Sequence, residues 1–278
     1  YVGRLVGQKL TEQMGQTVIV DNRPGAASLV GTEIAARANP DGYTLCLCDV
    51  GFTINPAYYS KANYDPLKDF DPVTTVAETP YILIAHAALP YVGSVKDFIA
   101  AAKAQPGKIN LASAGAGSGT HFSGELFKQR ADLVMTHVPY KSAGLSSADV
   151  ASGQIQASMS TPPAAMPLVK GGRVKILASG GAKRSTLMPD IPTFTESGVP
   201  VVVTNWYSVM TRGGTPKPVI TKLHDELTRA INSPDMRTRL ANAALEPAPN
   251  TPEQFRALIS AELQRWARVM KEADIRQE

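Results

Sequence analysis

Apolar residues Val2, Leu5, Val6 and Leu10 in the opening segment YVGRLVGQKLTEQMG recur at helical spacing and predict that the chain begins on a helix. The β-branched run TVIVDN, ending at Asn22, predicts a strand. The turn RPGAAS follows, then a helix from Leu29 or Val30 to about Ala38, closed by NPDGY. Next come a strand from Thr44 to Cys48, a loop with a short helix through Tyr59, the polar stretch KANYDPLKDFDP, and a long β-rich segment from Val73 to Ala85. A helix from Ser94 to Ala104 leads into a glycine-rich loop. Beyond it the pattern alternates THVPY, a helix near Ser146 to Ser152, IQASMS, a helix near Ala164 to Lys170, and VKILASG. The run VPVVVTNWYSVMTRGGTP is strand-like, and two amphipathic helices, Pro218 to Asn232 and Pro252 to Ala273, close the chain. Alternating strands and helices predict an α/β fold with parallel strands.

At 278 residues the chain is long enough for two α/β domains. Its 44% hydrophobic and 19% charged residues exclude disorder, and no apolar run is long enough to span a bilayer. Twenty-eight Lys and Arg against 24 Asp and Glu give a net charge of +4, but the basic residues are scattered, so nucleic-acid binding is not supported. No signal-peptide pattern opens the segment.

The stretch NLASAGAGSGTHFSGELF, Asn110 to Phe127, carries the most chemistry: a short strand, a loop of small residues, and a helix start. Gly115, Gly117 and Gly119 permit close backbone approach, and Ser118 or Thr120 can cap the helix. With no Lys or Arg in the loop, its anion donors are main-chain amides, two hydroxyls and His121, aided by the helix dipole. GAGSGT has Thr120 where a dinucleotide fingerprint needs Gly, and a P-loop Lys is absent. Ser118 lacks the flanking glycines of a nucleophile elbow. A glycine-rich turn that merely packs a helix on a sheet is the alternative.

Cys46 and Cys48 share one strand face, where a bridge would be badly strained, and read as small buried residues. His86, His121, His137 and His224 fall in separate elements with no Cys, Asp or Glu at ligand spacing, so no metal is expected. Asp149, Glu125 and Asp190 have no evident partners, and no catalytic motif occurs. His121 is more readily a ligand hydrogen-bonder or helix cap than a general base.

Several blocks resemble one family: DNRPGAASLVGTEIAARANPDGYTL (Asp21 to Leu45), YDPLKDFDPVTTVA (Tyr64 to Ala77), the glycine loop, HVPYKSAG (His137 to Gly144), MPDIPTFTESGVP (Met188 to Pro200) and NWYSVMTRGGTP (Asn205 to Pro216). In this order they resemble the Bug-type receptors, the TctC-like substrate-binding proteins of tripartite tricarboxylate transporters. The resemblance implies an α/β, two-lobed periplasmic binding protein (type II-like, a Venus flytrap), with residues 1–88 and 210–278 in one domain and 89–209 in the other. It also implies that the family's first strand and first ligand loop precede the helix that opens this chain, so that half of the carboxylate clamp is absent from it.

By the same resemblance the chain is a periplasmic, monomeric, cofactor-free receptor that hands a small carboxylate to membrane permease subunits. The alternatives are a module presenting its ligand to a receptor kinase and, less favoured, a carboxylate-processing enzyme. Implied ligand contacts are Ser113, Ala114, Gly115, Gly117, Ser118, Thr120 and His121 at the carboxylate, often through water, with Asp49, Tyr140, Thr161, Trp206 and Tyr207 at the variable end. Trp206 and Tyr207 read equally as hinge packing, and Arg23 as a structural position. Ser160 and Thr161 stand where many members carry an acidic residue, which disfavours an amino-acid ligand. Asp49 and Val50 replace a hydroxyl and a glycine; Ser142 and Ser208 each replace a glycine.

Overall fold

Helix α1 (Val2–Met14) forms on the predicted stripe and ends at Gly15 in the left-handed conformation, with its Val2, Leu5, Val6 and Leu10 face buried. A computed structural model describes residues 1–272 and Ile275, in two units: Tyr1–Glu78 with Trp206–Met270, and Thr79–Asn205 with Lys271, Glu272 and Ile275.

In the first unit α1 is followed by a short 3-10 turn (Ala26–Ser28), α2 (Leu29–Ala36), β1 (Leu45–Cys48), α3 (Gly51–Tyr58) and β2 (Phe70–Pro80). The run TVIVDN is not a strand. Val18 and Val20 face α1, close to Gly7, while Ile19 is 84% exposed, so the alternation is spent on a helix and the segment joins no ladder among the described residues.

The second unit holds β3 (Ile82–His86), α4 (Val95–Ala104), β4 (Asn110–Ser113), α5 (Gly119–Ala131), β5 (Thr136–Pro139), α6 (Ala143–Ser152), β6 (Ala157–Ser160), α7 (Pro162–Lys170) and β7 (Val174–Ser179). The predicted strand from Val73 to Ala85 is therefore two, broken at Tyr81, and β2 and β3 join different sheets. Glu78 and Pro80, which interrupt the run just before Tyr81, were the local signal of the break.

The chain returns to the first unit with β8 (Thr204–Arg212), α8 (Lys217–Asn232), α9 (Pro234–Asn242), β9 (Glu246–Pro247) and α10 (Pro252–Glu272). Helix α9, capped by Ser233, was not expected; it buries only Met236 and Leu240 and lacks a full apolar stripe. The predicted end of the last helix, Ala273, lies outside the described residues.

Sheet order is β1-β8-β2-β9 in the first unit and β5-β4-β6-β3-β7 in the second. The expectation of parallel strands fails in part: β1 runs antiparallel to β8, and β3 antiparallel to β6 and β7, while β4 runs parallel to β5 and β6. Strand–helix alternation does not reveal that β8 arrives from a distant part of the chain. The first core packs α1, α8 and α9 over the sheet through Leu5, Leu10, Val73, Val209, Leu227 and Leu240. Each such side chain contributes about 1.5–3 kcal/mol by leaving water. In the second unit Phe127 packs against Phe194 with centroids 5.2 Å apart, and Phe122 is fully buried, fixing α5 on its sheet.

Candidate functional site

Because β5, β4 and β6 are neighbours and mutually parallel, their carboxyl ends lie on one edge of the sheet. Loops at the carboxyl ends of strands are where open α/β sheets take ligands. The residues that follow these strands are Tyr140 after β5, the loop Ala114–Ser118 after β4, and Thr161 after β6.

The central loop is held by its own polar groups. Ala114 N–H donates to Thr120 Oγ1 (2.8 Å), Gly115 N–H to Ser113 Oγ (3.1 Å), Gly117 N–H to His121 Nδ1 (3.2 Å) and Ser118 N–H to Gly115 O (3.2 Å). Ser118 is the cap, its hydroxyl oxygen accepting from His121 N–H. Gly117 has φ +77°, a region L side chains rarely adopt, and a Cβ on Gly115 would fall 3.0 Å from Tyr140 O. The amides of Gly119 and Thr120 open α5, have no intrahelical acceptor and take none from the loop. Of the donors expected across the whole loop, these two adjacent N–H groups are the ones left for an anion.

Behind the loop the His121 and His137 rings stack, and Ser113 Oγ lies 2.7 Å from His137 Nε2. Burial, then His137 and Lys128, lowers the His121 pKa to about 3; burial, then Lys128, lowers that of His137 to about 4. Both rings are neutral at neutral pH, and His121 Nδ1 is free of a proton when it accepts from Gly117.

The expectation that no histidine has a carboxylate at ligand spacing is incorrect. Glu125 lies one turn from His121 on α5, and the donor atoms of His121, Glu125 and His137 lie within 4.8 Å of one another. These three residues could hold a metal ion, but Lys128 Nζ sits 2.7 Å from Glu125 Oε1 and already supplies the carboxylate's countercharge. Asp149, expected without a partner, accepts from the Tyr140 hydroxyl at 2.7 Å. The sequence reading therefore missed His137, Glu125, Lys128 and Asp149. The helical i, i+4 spacing of His121 and Glu125 was the available signal.

Thr161 caps α7 through its backbone, its side chain making no cap bond, while Ser160 is buried against Ser147.

In the first unit, Asp49 follows β1 and its Oδ1 accepts from Gly51 N–H at 2.9 Å; burial raises its pKa. Cys48 pairs with Ser208 in the β1–β8 ladder, so the next step brings Asp49 level with Tyr207. Trp206 is 3% exposed, meets Phe255 edge-on at 5.7 Å, and its indole N–H has no partner; Tyr207 packs on the core. Cys46 and Cys48 are buried and unbridged, as expected.

The TctC family, "Tripartite tricarboxylate transporter family receptor", matches residues 2–275. BugT of Bordetella pertussis is 33% identical over 278 residues, covering 98% of this chain and 84% of its own length. A solved R. palustris protein with adipate is 31% identical with TM-score 0.95, covering 99% of this chain and 92% of its own. MatC from Rhodopseudomonas palustris, solved with bound malate, is 29% identical with TM-score 0.90, covering 96% and 92%. The α/β fold with its two sheets is thus that of the TctC-type periplasmic binding proteins, and no described helix is long and apolar enough to cross a membrane. The chain belongs to the TctC family of tripartite tricarboxylate transporter receptors.

Proposed function

We propose that this receptor binds a small carboxylate in the periplasm and delivers it, as a monomer, to the membrane permease of a tripartite transporter without chemically altering it. The observation that carries this reading is the β4–α5 loop, with two adjacent amides unspent at the start of a capped helix and no cationic side chain within it. Such a junction fits the two oxygens of one carboxylate. The structurally similar proteins holding adipate and malate support the same class of ligand.

Ser113, Ala114, Gly115, Gly117, Ser118, Thr120 and His121 shape the carboxylate end. Tyr140 and Thr161 flank it on the same sheet edge; Asp49, Trp206 and Tyr207 are the candidate ligand-binding residues of the first unit, taken by itself. The two units are the two domains of the binding protein.

The reading predicts binding without turnover. Calorimetric titration with mono-, di- and tricarboxylates, each mixture then analysed by mass spectrometry, tests it. At least one acid binds and is recovered intact; a chemically altered acid, or no binding across the series, overturns the proposal.

A further inference from the structure

Helix α4, in the second unit, carries two stripes. Val95, Phe98 and Ala102 are buried, while Lys96 and Lys103 are exposed and Ile99, between them, is half-buried. Residues seven apart stand two turns apart on one helix face, so the two lysines rise from points about 10.5 Å apart, with Ile99 and Ala100 filling the interval. This outer stripe is one wall of a groove of about 450 Å³, completed by Arg130 at the end of α5 and by the turn at Gly198 and Val199. The walls are fixed to one another: Phe127 of α5 packs on Phe194, and Phe194 O accepts from Val199 N–H at 2.9 Å. The turn leaves its side of the groove open, since a Cβ on Gly198 would meet nothing within 4 Å.

The fold accounts for two of the three cations. Lys103 and Arg130 stand in the last turns of α4 and α5, where a cation complements the helix dipole. Their acidic neighbours are exposed, Asp132 at 3.9 Å from Lys103 and Glu272 at 3.2 Å from Arg130, and pairs of this kind are weak enough to be exchanged for others. Lys96 is different. It stands in the first turn of α4, where the dipole disfavours a cation, and it makes no ion pair among the described residues. Asp97 beside it is held at the cap by the Ser94 hydroxyl at 2.8 Å. An exposed cation set against its own helix dipole, next to an apolar side chain, fits an acid that comes from outside.

We propose that this groove docks an acidic amphipathic helix of a protein partner, with carboxylates seven residues apart on Lys96 and Lys103 and the apolar residues between those carboxylates lying on Ile99 and Val199. The spacing selects the partner. A helix with acids at i and i+7 repeats the rise of α4, and its i+3 and i+4 side chains fall on the apolar floor. Arg130, on the opposite wall, adds a third positive charge to the same groove. The surface belongs to the second unit alone and is complete without a bound carboxylate.

The test measures fluorescence anisotropy of labelled peptides against the whole chain, up to about millimolar concentration. The probe has about 18 residues, long enough to hold a helix, with two Glu seven residues apart and Leu three and four residues after the first. One control has Lys in place of both Glu, and another has the two Glu two residues apart. The Glu probe binds at least about tenfold more tightly than either control, and its affinity falls as salt rises. Lys96→Glu combined with Lys103→Glu reverses the preference toward the Lys peptide, and Ile99→Ser weakens the Glu probe at least about threefold. Melting temperatures verify that each variant folds. No binding of the Glu probe, equal binding of the three peptides, or an unchanged preference in the folded charge-reversed variant overturns the proposal. Binding to phosphatidylglycerol vesicles that the Glu probe does not displace also overturns it and assigns the cations to a lipid surface. Self-association that the charge reversal abolishes, with the probe unbound, overturns it in favour of a second copy of this chain.

Discussion

The rings of His121 and His137 lie face to face, with centroids 4.1 Å apart and planes 18° from parallel, and each neutral ring holds a different point of one loop. Nδ1 of His121 accepts the Gly117 amide, and Nε2 of His137 bonds the Ser113 hydroxyl. The pair is a backing for the loop and works only while neither ring is charged.

Acid should therefore weaken the fold. Both pKa values fall from 6.5, to about 3 and about 4, chiefly through burial. Above about pH 6.5 folded and unfolded chains are equally deprotonated at these rings, and stability is full. Below it the unfolded chain takes up protons that the fold refuses, costing about 1.4 kcal/mol per pH unit per ring until the folded values are reached. Urea midpoints measured from about pH 7.5 down to about 4.5 should drop steadily. His137→Gln, which keeps a hydrogen-bonding group but cannot titrate, should flatten that slope.

Gly117→Val should abolish most carboxylate binding. A β-branched residue at φ +77° costs about 1–2 kcal/mol or more and redirects the amides beyond it. Calorimetry on the folded variant should show at least about a tenfold loss, equivalent to about 1.4 kcal/mol. Ser118→Ala removes the cap on His121 N–H and should cost about 0.5–2 kcal/mol of stability with a smaller loss of affinity.

Tyr140→Phe deletes the hydroxyl that donates to Asp149 at 2.7 Å. Both residues are partly exposed, so water can replace the bond, and the expected stability loss is about 1 kcal/mol or less. A loss above about 3 kcal/mol in chemical denaturation would mean that the pair bears far more of the fold than this geometry provides.

Trp266→Phe tests the first unit. Its fully buried indole donates to Glu262 Oε2 at 2.8 Å, and Arg265 holds the other carboxylate oxygen at 3.1 Å. Removing the indole donor leaves a buried carboxylate half satisfied, and the urea midpoint should report a loss of about 1–3 kcal/mol.

Much of this was legible in the sequence. The helical stripe of α1, the cap at Ser118 and the strand–loop–helix order around it are local signals, and they translate directly into structure. The break at Tyr81 had a local signal in Glu78 and Pro80, but nothing local says that β2 and β3 go to two different sheets. Nor was the fate of Thr17 to Asn22 legible, since alternation says that one face is covered and not whether a strand or a helix covers it. Within the site, the glycines announced a close backbone approach. Which amides remain unspent depends on Thr120, Ser113 and His121 turning inward, and His137 joins them only through strand pairing.

The β5-β4-β6 ladder has a further consequence for how such a receptor changes over time. Pairing of Ser113 with Pro139 and of Ala112 with Ser158 fixes the starting points of three loops by backbone hydrogen bonds alone. Residues beyond β5 or β6 can then be exchanged, lengthened or shortened while the anchoring loop beyond β4 stays where it is. If, as proposed, the loop beyond β4 takes the acid group, its recognition and the discrimination among the rest of the ligand are heritable as separate traits, and a lineage can acquire a new ligand without rebuilding that loop.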